Sequence, residues 1–245
     1  MSEPVYYKVL GEDGVCCHGG AGRWKVDGSW MPTVHGGLSP CVRGYHLCRG
    51  VDLVDWLGPV IWIAEGQGKS FTDTRFQIFQ EARVIRRLEA WTPVVARGFA
   101  VECASRALPI LQAVLPGDER AVEALVKTRH VIYGTGSTAD MMASAAGAWE
   151  VARMVNGAAR DAAMAAYGAA VWESDGLAAW AAVGSARAAI AAAAAERSLA
   201  DSKAQGVHPR DAERQAGIAS SQAMGTEKAW QTGRLQELLG EELVV

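Results

Sequence analysis

The chain has 245 residues, half of them apolar and 21% charged, with a formal charge of −3. That is enough for one large or two modest cored domains, too apolar for a disordered chain, and without the basic excess that draws a protein to nucleic acid or anionic membrane in general. Phosphate binding, if it is used, must be local.

The opening MSEPVYYKVLGEDG has neither a basic n-region nor an apolar h-region, so no secretory signal is expected. Residues 5–10 read as a strand, and Gly11-Glu12-Asp13-Gly14 as the turn into a second strand near 15–18. Trp24 to Met31, with Asp27-Gly28 at its middle, has the form of a tight hairpin, because Asp-Gly tolerates positive φ. Residues 45–47 make a third candidate strand, 52–57 a short helix, and 60–64 a strand that Gly66 ends. Residues 76–88 fit neither period cleanly and are read as a strand towards their end.

The chain changes character near Thr92-Pro93, after which alanine dominates and prolines become sparse. A boundary between residues 92 and 104 gives an α+β chain, with a small strand-rich domain over 1–95 and an all-α, alanine-rich helical bundle over 100–242. A first helix is expected over 102–115, stopped by Pro116-Gly117, with Asp118 as the next N-cap. Ser137 with Asp140 three residues on resembles a capping box. Helical stripes follow at Met142, Ala145, Trp149 and Ala152, at Met164, Tyr167, Gly168 and Val171, and at Leu177, Trp180 and Gly184. A final helix spans about 209–239, with Gly225 as a candidate break. Alanine buries little area, so such helices must approach closely. Gly147, Gly168, Gly184 and Gly225 are expected to allow this, with Trp149, Trp172, Trp180 and Trp230 supplying bulk. The run 188–195 reads as a buried helix rather than a membrane span.

Five cysteines, four of them between Cys16 and Cys48, fit a reducing cytoplasm better than a disulfide framework. Cys41, His46 and Cys48 are the candidate zinc ligands, although no Cys-x-x-Cys pair accompanies them; the alternative is small core cysteines and satisfied histidines. Gly68-Lys69-Ser70 ends like a phosphate loop, but the glycine five positions earlier is replaced by Ile63. Lys69, Arg75, Arg83, Arg86 and Arg87 form the one basic cluster, a candidate site for a small anion or an acidic partner. Nucleophile motifs of the Gly-x-Ser-x-Gly and His-Glu-x-x-His kinds are absent from the sequence.

The text Cys-Val-Arg-Gly-Tyr-His-Leu-Cys at 41–48, with Asp52-Leu53-Val54-Asp55 and Val60-Ile61-Trp62-Ile63-Ala64-Glu65, resembles a small bacterial and phage domain family of unknown function over residues 5–90. Ala104-Ser105-Arg106-Ala107-Leu108-Pro109-Ile110-Leu111, Pro116-Gly117-Asp118-Glu119-Arg120 and the segment 227–235 resemble the alanine-rich helical domain of immunity proteins found beside bacterial toxin systems. The order of His18, Tyr45 and Glu81 is similar to that of the NAD-holding residues in ADP-ribosyltransferase folds, which implies those three as catalytic candidates.

The first expectation is therefore a cytoplasmic binding protein without a cofactor. It would be a phage or bacterial immunity, antitoxin or counter-defence factor that sequesters a partner protein or a small nucleotide-like ligand, with the bundle as a homo-oligomerisation surface. An NAD-using transferase and a zinc-stabilised structural subunit are the alternatives.

Overall fold

A computed structural model describes residues 5–20, 22–171 and 174–240. Four strands are followed by six α-helices among the described residues, so the chain is α+β, with its strands in the N-terminal part and its helices after them. The strands are β1 (Tyr6–Leu10), β2 (Tyr45–Arg49), β3 (Val60–Thr72) and β4 (Gln77–Arg87), with a 3-10 helix over Gly50–Asp55. All neighbours are antiparallel and close in the order β1-β2-β4-β3. The closure is uneven. β1 pairs with β3 from Tyr6 to Leu10, but with β2 only at Tyr6 opposite Arg49 and Tyr7 opposite Cys48.

Several expectations change here. The strand near 15–18 is reduced to an isolated bridge between Val15 and Arg23. The 24–31 hairpin does not form. β2 covers β4 only from Gln77 to Phe79, and the edge left open accepts instead from Met31 N–H to Ala82 O and from Val34 N–H to Gln80 O, both at 2.9 Å. Gly66 does not end β3: a Cβ there would lie 2.3 Å from the Phe79 ring, so the glycine makes room for an aromatic across the strand pair.

The helices are α1 (Pro93–Val114), α2 (Arg120–Ile132), α3 (Thr138–Met154), α4 (Gly157–Val171), α5 (Asp175–Ala204) and α6 (Pro209–Leu239). α1 begins earlier than expected because the Thr92 side chain caps Val95 N–H and Pro93 stands at the first helical turn. The residue preceding α2 is Glu119, while Asp118 accepts from Arg120 N–H at 3.2 Å. The Ser137 cap is as expected: its Oγ accepts from Asp140 N–H at 3.0 Å. α6 runs through Gly225 unbroken.

α4 is the centre of the bundle, packed by α1, α2, α3 and α5, and its buried positions are alanines and one glycine. Axes this close leave no room for large side chains between them. Bulk is pushed outwards, so Trp149 and Trp180 remain 39% and 40% exposed while Ala145, Ala148, Ala178 and Ala182 fill the core. The stripes read from the sequence are thus rotated: α3 buries Met141 rather than Met142. Trp172 lies outside the described residues. Of the four glycines expected at close approaches, Gly168 meets Ala181, with a built Cβ 3.1 Å from its methyl. Gly147 meets only the Arg120 side chain at ordinary distance, and Gly184 and Gly225 face open space. α5 is long and apolar enough to cross a membrane by length and composition, and here it packs against α1, α4 and α6.

One core runs from Tyr7 and Leu53 through Trp91 and Phe99 to Ala162 and Leu235, so strands and helices share it. The tightest contact between the two parts was not legible in the sequence. Gly176, in the first turn of α5, would place a Cβ 1.9 Å from Gly58 O, and Trp91 Nε1–H donates to that same carbonyl at 2.8 Å. Beside it lies a row of ions. Arg49 holds Asp52 at 2.6 Å, Lys228 of α6 donates to Asp52 and Asp55 at 2.8 Å each, and Arg187 of α5 pairs with Asp55. Arg187 also donates to Gln231 Oε1 at 2.7 Å, and Gln231 to Glu227, which takes Arg106 at 2.8 Å.

Two measurements check this account. Gly176→Ala forces the barrel off α5 and should lower stability by about 1–3 kcal/mol, whereas Gly184→Ala, in open space, should be neutral or stabilising by up to about 1 kcal/mol; thermal melts of both variants separate them. Burial works against ionised Asp55, but its bonds from Lys228 and Arg187 prevail and hold the carboxyl below its ordinary value. Its contribution is therefore present above about pH 4 and lost as pH falls through the lower folded value. Asp55→Asn should cost on the order of 3 kcal/mol at pH 7 and flatten this part of the acid limb of a pH–denaturation series.

Candidate functional site

Continuing the β1–β2 register past Tyr7 and Cys48 would place Lys8 opposite Leu47 and Val9 opposite His46, yet neither pair forms. The strands part instead, and a cavity of about 440 Å³ opens in the seam. Lys8 and Val9 form one side, Tyr45 to Cys48 the other, and Trp24, Trp56 and Phe76 bring aromatic walls. The rim carries Gly19 and Gly20, with φ of 87° and 80°, conformations open to glycine at no steric cost.

Lys8 Nζ lies in the seam, donating to the His46 carbonyl at 3.3 Å and standing 5.0 Å from the centre of the Trp24 ring. It has no carboxylate partner among the described residues, and no Asp or Glu is among the residues lining the cavity. A lone lysine in the text YYKVL gave no sequence signal; only the parting of two strands makes it a site residue.

The histidines are fixed by their partners. Carbonyl oxygens only accept, so His18 Nε2 carries the proton and donates to Trp56 O at 2.7 Å and Leu57 O at 2.8 Å. Its Nδ1 is then a bare acceptor without a hydrogen bond among the described residues. The ring stands between Trp56 and Trp180, at 5.8 and 5.1 Å between centres. His46 is the opposite tautomer: Nε2 accepts from Cys41 N–H at 3.0 Å and Nδ1–H donates to Gly44 O at 3.2 Å. Burial holds both imidazoles below their ordinary value, and the Lys8 charge adds to this. Burial likewise pushes the Cys48 thiol up to about 12 and the Cys17 thiol up to about 11.

Cys41, His46 and Cys48 thus line one cavity, but both His46 nitrogens are engaged and Cys48 Sγ faces Tyr7 O at 3.5 Å. Among the described residues no group of three or more His, Cys, Asp or Glu side chains is placed to hold a metal ion. His18 and Tyr45 meet at the cavity, with Tyr45 Oη donating to Pro32 O at 2.7 Å. Glu81 does not join them; it accepts from Thr33 at 2.7 Å and Gln67 at 2.6 Å on another part of the barrel, and these bonds lower its pKa.

The basic cluster is dispersed. Arg83 pairs with Glu65 at 2.7 Å and covers Trp30, and Arg87 pairs with Glu12 at 3.2 Å. Arg86 and Lys69 are exposed and line no part of the cavity. Arg75 comes nearest, 5.6 Å from the ring centre of Trp56, itself a wall residue.

Comparison with protein-family models, with curated proteins and with solved structures returned no match for this chain.

The thiols give a direct check of the geometry. Cys41 is exposed and Cys48 is buried with its proton held, so iodoacetamide at pH 8 should alkylate Cys41 in the folded protein and reach Cys48 only on denaturation, as read by peptide mass spectrometry.

Proposed function

We propose that this chain is a non-catalytic binding protein that captures a small anionic ligand in the β1–β2 seam and serves as a bacterial or phage immunity, antitoxin or counter-defence factor. The observation that carries the reading is the Lys8 ammonium, without a carboxylate partner among the described residues, inside a walled cavity with no lining carboxylate. A half-buried cation in that setting gains most from an anion brought in from solution. Binding is favoured over turnover because the buried thiol and one of the two imidazoles at hand are occupied. Cys48 keeps its proton, both His46 nitrogens are bonded, and the His18 N–H is shared between two carbonyls.

Use of NAD in the transferase manner draws support from His18 and Tyr45 sharing the cavity, but the Glu81 that would orient a ribose is bonded elsewhere.

The test is to incubate the purified chain with the small-molecule fraction of bacterial cells, re-isolate it, and identify what denaturation releases. One compound near one equivalent, chemically unchanged, is the expected result. Release of a converted compound, or turnover of NAD, overturns the non-catalytic reading, and release of nothing overturns small-ligand capture.

A further inference from the structure

The seam specifies more than charge. Lys8 offers three N–H donors, of which one reaches the His46 carbonyl, while the Trp24 face occupies another side of the ammonium. His18 offers the complementary function, since its Nδ1 can only accept once Nε2–H is shared between Trp56 O and Leu57 O. The cavity is also lined by aromatic rings from different parts of the chain: Trp24 edge-to-face with Tyr45 at 5.4 Å, and Trp56 edge-to-face with Phe76 at 6.0 Å. Edge-to-face pairs of this kind hold rings rigid and leave faces for a third ring to stack on.

Each of the other candidate ligands conflicts with one of these features. A purely apolar guest would leave Lys8 buried without a counter-charge. A cation would meet the ammonium with no lining carboxylate to offset it. A simple inorganic anion would satisfy Lys8 and leave the aromatic walls unfilled.

We propose that the seam cavity binds a planar aromatic acid that also carries an N–H or O–H donor. The acid group is taken by Lys8 Nζ, the ring lies among Trp24, Tyr45 and Trp56, and the donor faces His18 Nδ1. This rests on the ligand-capture reading above and narrows it to a chemical class. The same chemistry is offered by an aryl carboxylate and by an aryl phosphate, and the experiment treats the two as separate arms.

Intrinsic tryptophan fluorescence, with Trp24 and Trp56 in the walls, reports binding by the full-length chain. The probes are 4-hydroxybenzoate and 4-hydroxyphenyl phosphate as acids, 4-hydroxybenzamide as the neutral counterpart, and benzoate as the acid lacking the donor. At least one acid should bind about tenfold or more tightly than the amide, and the stronger arm identifies the acid group. Lys8→Met should remove the preference for acid over amide, and Lys8→Arg should restore it. His18→Phe should remove the preference for 4-hydroxybenzoate over benzoate and leave the Lys8 effect in place. Circular dichroism and thermal melts establish that each variant is folded; if His18→Phe does not fold, the comparison of the two acids in the unaltered protein decides the donor. An amide that binds as tightly as the acids, or a Lys8→Met protein that keeps the preference, overturns the acid class while ligand capture stands. Saturation by none of the four probes at millimolar concentration overturns the aromatic class; ligand capture then stands or falls on whether cell extract yields a bound compound.

Discussion

The ten residues from Gly50 to Pro59 join the strands to α5 and α6. Their 3-10 helix presents Asp52 and Asp55 to Lys228 and Arg187, which tie the barrel to α6 and α5. The next two carbonyls, of Trp56 and Leu57, fix the His18 ring and with it one end of the cavity. Gly58 then receives both Trp91 and the bare backbone of Gly176. A buried ion row is weak evidence for stability in itself, because desolvation offsets much of the attraction. Its effect here is positional: two carboxylates on one short turn match cations from two helices in only one arrangement.

Alanine sets the second constraint. Each residue buries little, so the bundle gains its area from length and closeness, and α4 packs against four other helices. Such closeness expels bulk. Trp149 and Trp180 stand at the margins of the bundle, where Trp180 reaches the barrel, donating to Asp55 O at 3.0 Å and facing His18. The cavity wall therefore includes a ring fixed from behind by a bundle residue, and the site is not a property of the strands alone.

Much of the fold was readable, and the failures share causes. The division into strands and helices and the Ser137 cap followed from composition and capping chemistry, while of β4 only the later part was read. The buried helix faces were misplaced by one residue because a stripe of alanine has neighbours that are also alanine, leaving periodicity nothing to contrast. Gly66 and the 24–31 hairpin were misread because local turn chemistry competes with what lies across the sheet, here the Phe79 ring and the open edge of β4. Cys41, His46 and Cys48, close in sequence, also lie together on the cavity wall. The arginines lie elsewhere, and two of them answer carboxylates on neighbouring segments, Glu65 and Glu12. Lys8 was invisible, because its role arises from two strands that separate, which no spacing records.

The ion row also imposes an order in time. Lys228 lies 176 residues after Asp52, and Arg187 lies 132 after Asp55. At synthesis rates of about 5–20 residues per second, the barrel segment waits on the order of ten to thirty seconds for the lysine that clasps it. During that interval Asp52 has Arg49 beside it, three residues away in the chain, and Asp55 has neither of its two cations until Arg187 is made. Such distant pairing raises contact order and slows the final docking. Strands made first are thus fastened last, by cations that arrive only with α5 and α6.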